Sequence, residues 1–204
     1  MALERKIAKH LLDIEAVALR PNDYFTWTSG IKSPIDCDNR ITMSYPAIRR
    51  EIAAGMSEVI KAKFPEVEVV AGTATAGIPH AAWVSEVLDL PMIYVRDSAK
   101  KHGKTNQIEG RLLEGQKVII IEDLISTGLS SLKVAKALEE AGAVVLGVVA
   151  IFSYELKKAQ DAFAADKVEY YTLTNYNYLI EEAVVSGYIK QEDVEKLLEW
   201  RNNL

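Results

Sequence analysis

The chain has 204 residues, 49% of them hydrophobic and 26% charged, which is the balance of an ordinary folded domain with one sizeable core. Its formal net charge of −5 argues against a nucleic-acid surface as the main function. The single cysteine, Cys37, excludes an internal disulfide and fits a reducing compartment. The charged N-terminus is unlike a signal peptide, and the longest mostly apolar run, residues 141–152, is too short to span a bilayer. We therefore expect a cytoplasmic protein with no membrane or nucleic-acid partner.

Helices and strands alternate along most of the chain. The helical spacing of Leu3, Ile7 and Leu11 predicts a first helix over residues 3–18, and a strand-like segment follows at 24–28. Further strands are predicted at residues 67–71, 91–95, 118–121, 144–151 and 168–173, and further helices at 46–63, after 78, and at 131–141, 156–165, 176–185 and 191–201. This alternation, without a break in composition, predicts a single α/β domain whose doubly wound, mostly parallel sheet is flanked by helices.

A loop of small residues follows the strand predicted at 67–71. Residues 72–77 read Gly-Thr-Ala-Thr-Ala-Gly, and small residues allow the backbone to approach a ligand closely. A plain turn between a strand and a helix would not need so many small residues in a row. The loop is therefore predicted to bind a ligand.

A long polar loop, residues 97–110, follows Arg96 at the end of the next predicted strand. Polar, glycine-containing loops of this length are usually disordered or functional. The loop is locally basic in an acidic protein, with cations at Lys100, Lys101, His102 and Lys104. It is either an ordinary solvated loop or a lid that neutralises an anionic group and excludes water.

The most informative stretch is residues 117–131. The β-branched run at 118–121 predicts a strand buried on both faces. Glu122 and Asp123 follow, and then a loop of small and hydroxyl residues that leads into a helix. Backbone N–H groups at a helix N-terminus suit a phosphate, whereas a pair of carboxylates suits sugar hydroxyls or a magnesium ion held through water. The stretch therefore predicts a ribose 5-phosphate site at the carboxyl end of the sheet, and an acidic turn that only caps the helix is the alternative.

Residues 119–131 resemble the phosphoribosyl-diphosphate (PRPP) motif of the type I phosphoribosyltransferases. Four further segments resemble the bacterial orotate-specific members of that family: residues 25–34, 38–40, 72–80 and 100–111. The similarity extends over about residues 10–190. It implies a type I phosphoribosyltransferase-like fold with an N-terminal helix and small hood over about residues 1–40, and an α/β core over about 41–204.

The resemblance also implies an activity and its site. The expected reaction is Mg²⁺-dependent transfer of ribose 5-phosphate from PRPP to orotate, which gives orotidine 5′-phosphate and pyrophosphate in pyrimidine biosynthesis. The expected catalytic residues are Lys100, His102 and Asp123. The expected PRPP-binding residues are Thr73, Ala74, Arg96, Lys100, His102, Glu122, Asp123, Leu124, Ile125, Ser126, Thr127, Gly128, Leu129 and Ser130, and the expected orotate-binding residues are Ser126 and Lys32.

Magnesium is expected to be held by PRPP and water near Glu122 and Asp123, without a direct protein ligand. The resemblance further implies a homodimer in which the 97–110 loop serves the neighbouring subunit's site. Two other functions remain open at this point: a phosphoribosyltransferase for a different base, and a PRPP-sensing regulator without turnover. The chain departs from the family pattern at three places, with Asp36 where an aromatic residue often lies near the base, Asp97-Ser98-Ala99 where an additional lysine is common, and Leu129 where a small residue is usual.

Overall fold

The computed structural model describes residues 2–27, 30–97 and 107–204. Its helices are α1 (Leu3–Asp13), α2 (Pro46–Lys63), α3 (Gly77–Leu88), α4 (Leu129–Glu140), α5 (Lys157–Asp166), α6 (Tyr176–Val185) and α7 (Val194–Asn202). Its strands are β1 (Val17–Leu19), β2 (Phe25–Thr26), β3 (Lys32–Ser33), β4 (Ile35–Cys37), β5 (Val69–Thr73), β6 (Met92–Val95), β7 (Ile108–Glu109), β8 (Lys117–Ile125), β9 (Val144–Ser153) and β10 (Tyr170–Asn175). Two 3-10 turns, Asn39–Ser44 and Gln191–Asp193, complete the described elements.

The main sheet has six strands in the order β10-β9-β8-β5-β6-β7. The first five strands of this order are parallel to one another, and β7 is antiparallel to β6. Successive residues of β8 belong to two different hydrophobic clusters. Ile119 belongs to the cluster that includes residues of α1, α2, α3 and α6, and Ile120 to the cluster that includes residues of α4 and α5. The predicted doubly wound, mostly parallel sheet flanked by helices is confirmed.

The N-terminal segment differs from its prediction. The helix expected over residues 3–18 ends at Asp13, because Glu15 takes a left-handed conformation with φ of 58° and turns the chain. Val17 then pairs with Cys37 in a small antiparallel sheet formed by β1 and β4. A second small sheet pairs β2 with β3, so the first 40 residues add two strand pairs beside the main sheet.

Other elements also have different bounds from those predicted. Strand β8 pairs with β9 as far as Ile125, so Leu124 and Ile125 lie in the strand and not in the following loop. Ile108 and Glu109 form β7 inside the segment expected to be a loop. The last predicted helix begins as a 3-10 turn and becomes α-helical only at Val194. In the described part of the chain, no helix is both long enough and apolar enough to cross a membrane.

Candidate active site

Strands β5 and β8 are neighbours, so the loops that follow them meet at the same edge of the sheet. Helix α3 approaches the end of β8 most closely at Gly77, the first residue of the helix. A Cβ atom added there would collide with the backbone carbonyl of Ile121 and would lie 3.4 Å from the Cα atom of Glu122. Glycine therefore lets the N-terminus of α3 pack directly against the residues that carry the two acids.

Glu122 is the buried member of the acid pair, with 4% of its surface exposed. Its carboxylate accepts hydrogen bonds from Ser130 Oγ at 3.0 Å, from Ser131 Oγ at 3.3 Å and from the backbone N–H of Asp123 at 3.0 Å. Burial raises the pKa of this carboxyl, and the negative charge of Asp123 raises it further. Glu122 therefore ties the end of β8 to the first turn of α4. The hydroxyl of Ser130, which was expected to contact PRPP, is directed at Glu122 in this structure.

Asp123 is the more open member, with a half-buried side chain. Burial raises its pKa, while a hydrogen bond with Glu122 and the positive charge of Arg40 oppose that shift. Asn39 fixes the backbone here, because its Nδ2 donates to the carbonyl of Asp123 at 2.8 Å. Asn39 belongs to the 38–40 segment that carried part of the family resemblance, but no role was predicted for it. Of the two acids, Asp123 is the one whose carboxylate is available to a ligand.

Residues 126–128 form the loop between β8 and α4. Gly128 at the start of the helix has φ of 79°, and an added Cβ there would lie 2.7 Å from a ring carbon of Phe163. Both the backbone conformation and the packing therefore require glycine. The first N–H groups of α4 have no partner within the helix and can bind an anion. The side chain of Leu129 is 59% exposed, so this departure from the family pattern points away from the loop.

The loop after β5 carries a second feature of a ligand site. Thr73 is 3% exposed, and among the described residues its Oγ1 has no hydrogen-bond partner. A buried hydroxyl without a partner is uncommon in a folded protein, because its desolvation is uncompensated. The next residue, Ala74, donates its N–H to the carbonyl of Val95 at 3.1 Å and is joined to Thr75 by a cis peptide.

Arg96 stands at the end of β6, where the sequence predicted it. Its backbone N–H donates to the carbonyl of Gln107 at 2.9 Å, and its guanidinium lies 3.5 Å from the carboxylate of Glu109. Lys133 on α4 donates to the carbonyl of Asp97 at 2.9 Å. Lys100 and His102 lie outside the described residues.

A pocket of about 420 Å³ opens beside the acid pair, between the N-terminal strand pairs and the ends of β8 and β9. We refer to it as the aromatic pocket; its lining residues are Phe25, Thr26, Trp27, Asp36, Cys37, Leu124, Ser126 and Tyr154. Burial raises the pKa of both the Cys37 thiol and the Tyr154 hydroxyl, so both groups are neutral near pH 7. Of these lining residues, Leu124, Ser126 and Asp36 were expected at or near the site from the sequence, and Phe25, Trp27 and Tyr154 were not assigned a role.

Lys32 lies just outside the lining of the aromatic pocket. Its Nζ donates to the hydroxyl of Thr26, which is part of the lining, at 2.6 Å. Ser126 lies at the other side, where the pocket meets the loop before α4. The structure therefore brings together a cation, an aromatic wall that also carries Asp36, a hydroxyl loop and an open carboxylate, which can accommodate a planar ring, a sugar and a phosphate.

A family model described as a phosphoribosyl transferase domain matches residues 43–186. The chain belongs to this family. An orotate phosphoribosyltransferase from Enterococcus faecalis is 63% identical over 199 residues, which cover 98% of this chain and 95% of that protein. One from Staphylococcus aureus is 61% identical over 202 residues, which cover 99% of this chain and all of that protein. The crystal structure of orotate phosphoribosyltransferase from Aeropyrum pernix superposes with a TM-score of 0.77 at 26% identity and covers 90% of this chain and 99% of that one.

The resemblance to the orotate-specific members of the phosphoribosyl transferase family is therefore confirmed, as is the type I phosphoribosyltransferase fold. The roles of individual residues stay predictions. The structure places Thr73, Asp123 and Ser126 along one edge of the sheet and puts Lys32 at the rim of the aromatic pocket.

Proposed function

We propose that this protein transfers ribose 5-phosphate from PRPP to orotate, with orotidine 5′-phosphate and pyrophosphate as products, in the synthesis of UMP. The observation that carries the proposal is the junction at Ser126, where the loop before α4 meets the aromatic pocket. A ligand bound across that junction would have its phosphate at the helix N-terminus and a planar base against Phe25 and Tyr154. The high identity to orotate phosphoribosyltransferases along almost the whole chain supports orotate as that base.

In this reaction the bond between ribose and pyrophosphate breaks while positive charge builds on the ribose ring, as in other glycosyl transfers. Asp123 binds the ribose hydroxyls and places a carboxylate beside that charge. Glu122 holds the amide of Asp123 and the first turn of α4, and thereby orients both parts of the site. The backbone and hydroxyls of residues 126–128 hold the 5′-phosphate. No covalent nucleophile is required.

The leaving pyrophosphate lies, in this proposal, against Thr73 and Ala74, with Arg96, Lys100 and His102 as its cationic partners. The buried hydroxyl of Thr73 supports this assignment, because a pyrophosphate oxygen would give it the acceptor it lacks among the described residues. Lys32 would attract the carboxylate of orotate at the rim of the aromatic pocket.

Magnesium would neutralise the pyrophosphate when bound to PRPP. Asp123 can reach such an ion through water, since magnesium usually keeps several of its waters and takes few protein ligands. In the described ranges, no group of three or more His, Cys, Asp or Glu side chains is arranged to hold a metal by itself. We propose that PRPP and water supply most of the magnesium ligands.

The proposal also includes a homodimer, in a cytoplasmic enzyme, in which Lys100 and His102 act on the neighbouring subunit's site. The support is the family resemblance of residues 100–111, together with the geometry of a two-fold dimer, in which any such exchange is reciprocal.

The activity is tested by offering PRPP and Mg²⁺ with orotate, uracil or a purine base, and by measuring pyrophosphate release. We expect release with orotate and its loss on chelation of Mg²⁺. Release only with another base would indicate a different phosphoribosyltransferase. Tight PRPP binding without turnover on any base would indicate a sensor.

The shared site is tested by dissociating and reassociating two inactive proteins, Asp123→Asn and the double variant Lys100→Ala/His102→Ala. If the loop acts on its neighbour, each mixed dimer has one intact site, and random pairing restores roughly a quarter of the wild-type sites. If mixed dimers form and no activity returns, the loop acts within its own subunit.

A further inference from the structure

The last helix, α7, contacts the N-terminal strand pair that forms one wall of the aromatic pocket. The indole Nε1 of Trp200 donates to the backbone carbonyl of Lys32 at 3.0 Å. The same ring packs edge-on against Trp27, with centroids 5.8 Å apart and an interplanar angle of 89°. One side chain near the C-terminus therefore contacts both strand β3 and a residue that lines the pocket.

Trp27 connects Trp200 to other residues around the aromatic pocket. Its own indole Nε1 donates to the carbonyl of Ile35 at 3.0 Å, and its ring lies 5.6 Å from the ring of Tyr154, another lining residue. The aromatic row Trp200–Trp27–Tyr154 thus runs from α7 to the end of β9. Aromatic pairs of this geometry stabilise a contact beyond the area that they bury.

The strand pair β2–β3 has little support of its own. It consists of two residue pairs, Phe25 with Ser33 and Thr26 with Lys32. A two-stranded hairpin is marginally stable without packing against another element. A second contact from α7 reaches the turn before β2, where Lys196 Nζ donates to Asn22 Oδ1 at 3.1 Å and lies 5.6 Å from the centre of the Tyr24 ring.

We propose that Trp200 is a positioning residue that sets the place of the β2–β3 strand pair, and with it Lys32, over the aromatic pocket. The proposal rests on the function proposed above. No contact of Trp200 reaches the acid pair or the loop before α4 in the described part of the chain. Loss of the contact is therefore expected to weaken the binding of orotate and to leave the binding of PRPP unchanged.

The test uses Trp200→Phe, which keeps an aromatic ring but removes the donor to the Lys32 carbonyl, and Trp200→Ala, which removes both. Loss of one hydrogen bond predicts a rise in KM for orotate of roughly three- to tenfold for Trp200→Phe, and more for Trp200→Ala. KM for PRPP and kcat are expected to stay within about twofold. Trp83→Phe, the same change on α3, is the matched control and is expected to alter neither KM.

A second readout does not depend on activity. Amide hydrogen exchange at Trp27, whose N–H donates to the carbonyl of Ile31 at 2.9 Å, should be faster in Trp200→Phe and unchanged in Trp83→Phe. Equal rises in both KM values, or no change in KM and exchange for either Trp200 variant, would overturn the proposal. A wild-type protein that shows no orotate-dependent pyrophosphate release would refute the proposed function instead, and the exchange rates alone would then decide whether Trp200 positions the strand pair.

Discussion

The two halves of the candidate site are held in place by different means. The strand-end half, formed by the acid pair and residues 126–131, is contiguous in sequence and fixed by backbone and buried hydroxyl contacts such as Ser131 to Glu122. The aromatic pocket is assembled from segments far apart in the chain, and Thr26 and Asp36 in its wall are exposed. Its N-terminal wall is contacted by Trp200 of α7.

The two kinds of support suit two different tasks of a transferase, which are stabilisation of the transition state and selection of the base. Groups that stabilise a charged transition state must be preorganised, and a buried strand end that is tied to a helix provides that. In the proposed reaction, selection of the base can be adjusted by a lightly supported strand pair without disturbing the acid pair. Changes in the strand-end half are therefore expected to reduce turnover, and changes around the aromatic pocket are expected to alter the affinity for orotate.

The largest expected effect is that of Asp123→Asn. Removal of a carboxylate that stabilises charge in the transition state should lower kcat by about 10²- to 10³-fold. The free energy of unfolding should not decrease, because the folded state no longer carries a partly desolvated charge at this position. The control is Asp161→Asn, which removes only an exposed ion pair with Lys157 and should leave turnover unchanged. An unchanged kcat/KM in Asp123→Asn would show that the acid pair only caps α4.

The next largest expected effect is a loss of folding stability at low pH, caused by His80. This residue lies on α3, the helix that packs behind the strand-end half. Burial lowers the pKa of His80 from 6.5 to about 4. The unfolded chain therefore binds the proton more readily than the folded protein, and the stability that the neutral ring contributes is present above pH 6.5 and is lost as the pH falls towards 4. The loss should reach about 3 kcal/mol by pH 4.

The free energy of unfolding of the wild type and of His80→Gln, measured from pH 7 to pH 4, tests this expectation. The difference between the two proteins isolates His80 from the other titrating groups. The ring of Trp83 lies 5.4 Å from that of His80, so its fluorescence should change before that of Trp27 or Trp200. Parallel pH curves for the two proteins would contradict the expectation.

A smaller effect is expected when Gly128 is replaced by alanine. Gly128 and Gly142 both have positive φ, of 79° and 89°, so alanine is strained at either position by about 1 kcal/mol. At Gly142 the added Cβ meets the flexible side chain of Glu114 at 3.2 Å, whereas at Gly128 it meets the packed ring of Phe163 at 2.7 Å. Gly128→Ala should therefore cost about 1–3 kcal/mol more than Gly142→Ala and should also raise KM for PRPP. Equal losses in the two variants would mean that the ring of Phe163 moves aside freely.

The strand-end half is contiguous in sequence and the aromatic pocket is not, and this difference determined which parts of the site could be predicted from the sequence. The strand-end half could be predicted from local sequence, since a β-branched run, two acids and a glycine follow one another along one segment. The far end of β8 was misplaced, because it is set by pairing between Ile125 and Ser153, which are distant in the sequence. The orientation of Glu122 towards Ser131 was also missed, since a linear motif does not show which of its side chains face inward.

The aromatic pocket had no comparable signal. Phe25, Trp27 and Tyr154 come together only when the N-terminal strand pairs pack against the end of β9. Trp200 is 168 positions away from the carbonyl that it contacts. No spacing rule relates such positions, and only the resemblance to known phosphoribosyltransferases indicated an N-terminal hood with Lys32 at the orotate site.

The smallest expected effect is that of Lys32→Ala, which tests the division between the two halves directly. Lys32 is exposed and its ammonium group is hydrogen-bonded to Thr26, so the proposed attraction for the carboxylate of orotate would be screened by water. We expect KM for orotate to rise by roughly three- to fivefold, corresponding to less than about 1 kcal/mol, with KM for PRPP unchanged. Thr26→Val removes the hydroxyl that holds Lys32 and keeps the side-chain shape, so it should raise KM for orotate less than Lys32→Ala does. Because the attraction is electrostatic, the difference between wild type and Lys32→Ala should shrink as the salt concentration rises. A rise in KM for PRPP as large as that for orotate would show that the two halves are coupled and that the strand pair supports the whole site.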